Sequence, residues 1–411
     1  MISAQMQERL TRVGPGSAMG KLLRCYWYPI LASVELGPGQ AREVRLLGED
    51  LAVFRDPSGR LGLLQRDCPH RGVSLGQGLA DDRGLVCPYH GWTFDRSGAC
   101  VDMPAEHNPG ARLLARAEVA AYAVAELGGF IFGYLGPHPV PQLPRYDLYV
   151  MPGVLRDIGR AELPCNWLQI MENSVDPVHV EYLHGRHLQT MLARSGSAAD
   201  TGYGRKHQKI GFDLFEYGIT KRRVLAGGSE GDEDWRVGHP LIFPVTLRVG
   251  ANCQHRFQIR VPVDDETTMH YWYSCYLPPT GRKAPLQETV PLYEVPWCHS
   301  DGSFRVDFVD GGDIMAWVSQ GSIADRTREL LVSSDRGVVL LRRLLLEQLE
   351  RVERGEDPLG VIRDPERNHC INFAQEHDKL GGSVAFLRRA MDISHARFSP
   401  LREQVLAMLS P

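Results

Sequence analysis

Two short stretches of this sequence each pair a cysteine with a histidine. Cys68-Pro-His70 is followed, after 16 residues, by Cys87-Pro-Tyr-His90, with Gly72 and Gly91 just beyond the histidines. A structural zinc site also uses two cysteines and two histidines, but zinc fingers pair like with like and leave a wider gap in the histidine half. A Cys-x-His gap is too short for that pattern. The mixed pairs suit a [2Fe–2S] cluster of the Rieske type, with two thiolates on one iron and two imidazoles on the other. Neutral nitrogen donors lower the negative charge at that iron and raise its reduction potential. Electron transfer is the chemistry these four residues predict.

A second group of ligand-type residues follows about ninety residues later, in NWLQIMENSVDPVHVEYLHG, Asn166 to Gly185. Asp176 ahead of Pro177 has the form of a helix N-cap with proline at the first helical position. Asp176 and His179, three apart, would share a helix face, and His184 precedes Gly185, where the chain can bend sharply. Two imidazoles are thereby predicted to converge. Alone, such a pair would read as helix histidines satisfied by local hydrogen bonds. Behind a redox cluster it reads as part of a two-histidine, one-carboxylate set with open positions, which suits Fe(II) that reacts with dioxygen. One more acid is needed.

These ligands require a scaffold. The chain has 411 residues, 43% apolar and 23% charged, enough for two to three domains of ordinary globular composition. Forty-six basic against 50 acidic residues leave a net charge of −4, which argues against nucleic acid or an anionic membrane as the main partner. No uncharged apolar run approaches the ~18 residues of a spanning helix. The opening MISAQMQERL lacks the apolar stretch of a secretory signal, and nine scattered cysteines form no disulfide framework; a reduced, cytoplasmic protein is expected.

Residues 1–43 are expected to form an N-terminal helical segment, in which Ser17 of GPGSAMG caps a helix instead of opening a nucleotide loop. From 44 to 135, short apolar runs alternate with turn signals such as Asp56-Pro57-Ser58-Gly59 and Asp95 to Gly98. They predict an antiparallel all-β unit carrying the cluster. The proline-rich GPHPVPQLPRY, 136–146, is the expected linker. Residues 147–411 mix strand-like stretches (Arg256 to Pro262, His270 to Leu277) with one long amphipathic helix. Asp335 and Gly355 bound that helix, and Val338, Leu341, Leu345, Leu349 and Val352 stripe it. The predicted class is α+β.

With both ligand groups in place, the sequence resembles the Rieske non-haem iron aromatic-ring oxygenases, in particular large subunits of the phthalate dioxygenase type. That group includes aromatic O-demethylases acting on methoxylated biaryl acids such as 5,5′-dehydrodivanillate. The likeness covers most of the chain. It rests on GPGSAMGKLLRCYWYPI, CVDMPAE, SQGSIADRTRELLVSSDRGVVLLRRLL and the spacing Asn173-x2-Asp176-x2-His179-x4-His184. The resemblance implies an N-terminal Rieske domain and a catalytic domain with a central antiparallel sheet flanked by helices. It also implies a third iron ligand shortly before SQGSIADR. Asp307, Asp310, Asp313 and Asp325 are the candidates, and Asp313 matches the position best, with Gly311 and Gly312 permitting a tight approach; Asp325 is expected to pair with Arg326 or Arg328. Asp176 is implied to bridge to a Rieske histidine of a neighbouring subunit in a head-to-tail trimer, or a dimer of trimers, with Asn173 near the iron.

The implied activity is that of a terminal oxygenase, oxidising an aromatic substrate with O₂. No flavin or dinucleotide fingerprint is visible, so electrons are expected from a separate NAD(P)H-dependent reductase, with or without a ferredoxin. Methyl-ether cleavage of an aromatic acid is the leading reading, and ring dihydroxylation of a phthalate-like acid the alternative. A Rieske electron carrier or a zinc-stabilised scaffold would not need the second ligand group. Six cationic residues follow the histidines, in Arg205-Lys206-His207-Gln208-Lys209 and Lys221-Arg222-Arg223, with Arg248 and Arg256 beyond. Most should be solvated; Arg205, Arg223 and Arg248 are the candidates for holding a substrate carboxylate.

Overall fold

The computed structural model describes residues 2–194, 196, 201–251, 253–374 and 384–409. The first part is built from ten strands: β1 (Trp27–Ala32), β2 (Gln40–Leu46), β3 (Glu49–Arg55), β4 (Leu61–Gln65), β5 (Leu79–Asp81), β6 (Gly84–Val86), β7 (Thr93–Phe94), β8 (Cys100–Asp102), β9 (Ala121–Leu127) and β10 (Phe130–Tyr134). Six form one antiparallel sheet in the order β1-β10-β9-β4-β3-β2, and β5 to β8 form a smaller one. Both expected turns are present. Asp56 Oδ1 accepts from the Ser58 and Arg60 N–H groups, Asp95 Oδ1 from those of Ser97 and Ala99, with Gly59 and Gly98 at positive φ.

The 1–43 stretch differs from expectation. Helices Ala4–Thr11 and Ala18–Leu23 are followed by β1, which pairs with β10 and so belongs to the sheet. Its almost unbroken apolar run, buried at five of six positions, carries no alternation to distinguish a buried strand from a helix. Ser17 does cap the second helix, its hydroxyl accepting from the Gly20 N–H at 3.0 Å.

No helix or strand crosses 136–145. The second part holds an eight-stranded sheet: β11 (Leu155–Leu163), β12 (His207–Phe215), β13 (Gly218–Leu225), β14 (His239–Ile242), β15 (Thr246–Ala251), β16 (Gln254–Pro262), β17 (Thr268–Tyr276) and β18 (Leu292–Glu294). The order is β12-β13-β14-β15-β16-β17-β11-β18, antiparallel apart from the β11/β18 pair. The long helix runs Arg336–Glu353 and buries Val338, Leu341, Leu345 and Leu349. Asp335 stands at its N-cap position, but its carboxylate accepts from Val332 N–H and not from the helix's first turn.

The two parts share one core, in which Leu31, Phe130 and Phe132 pack with Tyr149, Ile158, Phe257 and Tyr273. The tip of the β2–β3 hairpin docks on the catalytic sheet. Leu47 and Gly48, at φ 51° and 77°, donate to Pro262 and Val263 carbonyls at 3.0 and 2.8 Å. The primed turn that a right-twisted hairpin favours here places a leucine in the left-handed region, stabilised by its complete burial.

Candidate active site

Helix Trp167–Ser174 is capped by Asn166, whose Oδ1 accepts from the Leu168 N–H. The chain breaks at Val175–Pro177. Asp176 restarts it, its Oδ1 accepting from the N–H groups of Val178 at 2.8 Å and His179 at 3.4 Å. From Val180 to His187 the helix is a π-helix, closed by i→i+5 hydrogen bonds. In an α-helix, residues five apart point about 140° away from each other; in this wider helix they lie nearly one above the other. His179 and His184 therefore face together without a bend, ring centroids 5.1 Å apart. Gly185 does not turn the chain. A Cβ there would sit 2.7 Å from the Gly204 Cα, so its glycine permits a close backbone approach.

The other half of the group comes from helix Val309–Val318. Gly311 is required there, since a Cβ would meet the Arg305 carbonyl at 1.9 Å, and Gly312 packs against Leu183 of the histidine helix. Asp313 Oδ1 lies 3.2 Å from His184 Nε2 and 3.7 Å from His179 Nε2. One donor atom from each of the three lies within 4.8 Å of the others. Asp313 Oδ1, which the two Nε2 atoms face, is buried with no aligned hydrogen-bond donor. A carboxylate and two imidazoles gathered in this way fit a divalent cation with open positions.

The other three acids are occupied elsewhere. Asp307 pairs with Arg397 at 3.0 Å. Asp310 is fully committed, Oδ1 accepting from Trp272 Nε1–H at 2.8 Å and Oδ2 from the His395 N–H at 2.7 Å. Asp325 binds the hydroxyl and N–H of Thr327, and Arg326 pairs not with Asp325 but with Glu172 at 2.8 Å.

Asp176 sits behind His179, Oδ2 3.5 Å from Nδ1. Burial opposes its charge, yet His179 and the Val178 N–H hold its carboxyl below the usual range. Asn173, one turn earlier, lines the cavity into which the triad opens. That cavity is a cleft of about 960 Å³, counting the open solvent at its mouth, and Tyr203, Lys221, Arg223, His239 and Arg256 also line it.

Cys68-to-Val73 and Cys87-to-Trp92 form matching loops. In each the cysteine N–H donates to the residue five on (2.9 and 2.8 Å), and Gly72 and Gly91, at φ 72° and 74°, donate back to the cysteine carbonyl. Both sulfurs are buried while His70 is exposed, with the imidazole centroids 4.5 Å apart and His70 stacked on Trp92. Burial pushes the Cys68 thiol up to about 11, so a cation is needed to make it a thiolate near neutral pH. The buried, partnerless Nδ1 of His90 fits the same purpose.

Residues 26–123 match the Rieske [2Fe–2S] domain, and residues 133–284 with 301–374 match a domain described as LigXa C-terminal domain like. The chain is 39% identical over 379 residues to the 5,5′-dehydrodivanillate O-demethylase oxygenase subunit of Sphingobium sp. (strain NBRC 103272 / SYK-6), covering 92% of this chain and 87% of that one. The chain belongs to the Rieske non-haem iron oxygenases. Phthalate 4,5-dioxygenase oxygenase subunit of Pseudomonas putida is 30% identical over 398 residues, with 88% and 89% covered. Among solved structures, NdmA of Pseudomonas putida CBB5 shares the fold, with a TM-score of 0.61 at 20% identity over 82% of this chain and 94% of that one.

Of the three basic residues expected to hold a carboxylate in this Rieske oxygenase, the structure brings one to the cavity. Arg223 lines it, buried, its Nε on Asp234 at 2.7 Å. Arg205 is exposed and donates to the Ala226 carbonyl. Arg248 is buried outside the cavity, paired with Asp147. Arg256, noted in sequence only as following them, is the better placed. Its Nη1 lies 2.9 Å from His395 Nδ1, its Nη2 donates to Gln254 Oε1, and its buried Nε has no partner. Burial pushes the His395 imidazole down to about 4, and its Nδ1 lies between the guanidinium and Asp310 Oδ2, 3.2 Å away. His395 and Tyr203 carried no sequence signal, because each stands alone in a loop or short turn.

Proposed function

We propose that this oxygenase removes the methyl group from a methoxylated aromatic or biaryl acid. The observation that carries the reading is His179, His184 and Asp313 converging on a cavity lined by Lys221, Arg223 and Arg256. The likeness to an O-demethylase subunit over 92% of the chain supports it. When bound, the cluster at Cys68, His70, Cys87 and His90 supplies electrons, and Fe(II) at the triad supplies the centre for dioxygen chemistry. The balance is Ar–OCH₃ + O₂ + 2e⁻ + 2H⁺ → Ar–OH + HCHO + H₂O. One oxygen atom enters the methyl carbon, the O–CH₃ bond breaks, and the other atom leaves as water.

The chain's own residues do the rest. Arg256, held by His395 and Gln254, lines the cavity, and a charge-assisted bond from its guanidinium to a carboxylate would fix the acid end of the substrate. Asp176 orients the His179 ring through Nδ1 and is the proposed link to the neighbouring subunit's cluster in a trimer. Electrons come from a separate reductase, directly or through a ferredoxin. Among the described residues no helix is long and apolar enough to cross a membrane.

The likeness to phthalate 4,5-dioxygenase and the cationic cavity also suit ring dihydroxylation of an aromatic acid. Both oxygen atoms would then enter the ring. Turnover of the holoenzyme with a reductase, NADH and paired methoxylated and unmethoxylated aromatic acids separates the two. Formaldehyde and phenol in equal amounts, from the methoxylated acids only, is the expected result; a cis-dihydrodiol without formaldehyde overturns it.

A further inference from the structure

Asp313 stands 134 residues after His179 in the chain, yet its carboxylate must meet two imidazoles to within a few tenths of an ångström. The SQGSIADR motif between Ser319 and Arg326, which begins just past the Asp313 helix, contributes no side chain to the triad or the cavity. Besides backbone bonds of Arg326 with Gln7 and Ile2, it bonds to one stripe of helix Trp167–Ser174 and its cap, at positions 166, 169 and 172.

Asn166 donates its N–H to the Ser322 carbonyl at 2.7 Å. Gln169, 1% exposed, donates through Nε2 to the carbonyls of Trp317 (2.8 Å) and Gly321 (2.9 Å), and accepts through Oε1 from the Ala324 N–H at 2.9 Å. The Trp317 carbonyl belongs to the last turn of the Asp313 helix, where the N–H groups that follow it reach it only weakly, that of Gln320 at 3.4 Å. A side chain from the helix that leads to the histidines thus ends the helix that carries the acid. Three residues on, Glu172 accepts three bonds from Arg326, which is 1% exposed, and a fourth from Arg342 Nε at 2.7 Å. Arg342 in turn holds Glu329.

We propose that Gln169 and Arg326 are positioning residues that set the separation between Asp313 and the His179/His184 pair, the SQGSIADR segment being the clasp between the two ligand-bearing helices. This rests on the triad being the metal site. Gln169's amide fills all three of its bonds with backbone groups of one segment, so sliding either helix along the other breaks several bonds together. Glu172 is gripped by two guanidiniums in forked, directional geometry, which a flexible lysine would not reproduce.

The test uses the full chain with its cluster intact and the mononuclear site emptied, titrated anaerobically with Fe(II) against a ferrous chelator. Gln169→Met keeps the length and volume and removes all three bonds. Fe(II) affinity is expected to fall about 10- to 100-fold, the loss usual when a ligand's supporting contacts are removed, while the Rieske spectrum stays unchanged. Leu155→Ala, buried at the start of β11 in a separate apolar cluster with Leu387 and Met391, controls for general loosening. Arg326→Lys carries the same test with the charge retained, should Gln169→Met not fold. Fe(II) affinity in Gln169→Met or Arg326→Lys no weaker than in Leu155→Ala overturns the clasp. His184→Ala in the same titration isolates the underlying reading: unchanged Fe(II) affinity there removes the metal site itself, whereas lost affinity there with wild-type affinity in the clasp variants removes the clasp alone.

Discussion

Changing Asp310 and Asp313 to asparagine, one at a time, separates an acid that holds the fold from the proposed metal ligand. They stand nearly one turn apart on the same helix, both buried. Burial opposes the Asp310 charge, but His395 and Arg256 hold its carboxyl far below the usual range. Its two oxygens receive Trp272 Nε1–H and the His395 N–H, with Arg256 3.9 Å away. Asparagine there presents an NH₂ to one of those donors and strips Arg256 of its counter-charge. Breaking a buried, hydrogen-bonded charge in this way costs about 3–5 kcal/mol, or, at ~2 °C per kcal/mol for a large domain, a fall in Tm of about 6–10 °C. Because the folded-state pKa is depressed, that contribution is complete above the unfolded carboxyl value of about 3.9 and is lost as pH falls through the folded one. The Tm gap should accordingly persist at neutral pH and close in acid. Asp313 has no aligned donor to lose, so Asp313→Asn in the iron-depleted protein should move Tm by no more than ~2 °C while abolishing Fe(II) retention and turnover. Calorimetry of the iron-depleted, cluster-loaded protein and iron analysis after reloading read both effects. A large Tm loss in Asp313→Asn, with iron lost only in Asp310→Asn, refutes the assignment.

Asp176→Asn should leave the cluster reducible and the iron site filled while cluster reoxidation, followed in single-turnover mixing of pre-reduced enzyme with substrate and O₂, slows at least tenfold; a wild-type rate argues against the bridge. His70→Cys should change the reduced protein's Rieske-type paramagnetic spectrum, because it replaces a neutral donor by an anionic one; an unaltered signal removes His70 from the cluster. Burial pushes the Asp157 carboxyl up to about 7, although Tyr276 and Ser399 hydroxyls donate to it. With the folded-state pKa raised, its contribution is complete below about pH 4, the unfolded value, and is lost as pH rises towards 7. Asp157→Asn should therefore gain stability relative to wild type between urea titrations at pH 5 and pH 8, and an equal difference at both pH values would contradict the burial argument.

Much of the site was legible because it consists of local motifs. The two Cys/His loops are each closed within six residues by their own backbone hydrogen bonds, so residue type and spacing suffice to announce a cluster. The Asp56 and Asp95 turns, and the apolar stripe of Arg336–Glu353, are equally local. The histidine pair was legible in type but not in form. Gly185 suggested a bend, whereas the faces are brought together by a π-helix, which has no composition of its own.

What only the tertiary structure decided are relations between distant segments. Four aspartates within nineteen residues are equivalent on paper; Asp313 is distinguished by Gly311 packing on Arg305 and by Trp272, Arg397 and Thr327 occupying the other three. Arg223 and Arg256 face the cavity and Arg205 and Arg248 do not, because charge alone does not tell a residue's register on the sheet or its partner across it. β1 was hidden within a helical segment since its pairing partner, β10, lies about a hundred residues downstream. Sequence spacing determines which groups a short loop can offer to a metal, whereas which groups meet across the chain is settled by packing, where burial forces each charge to find its partner or a ligand.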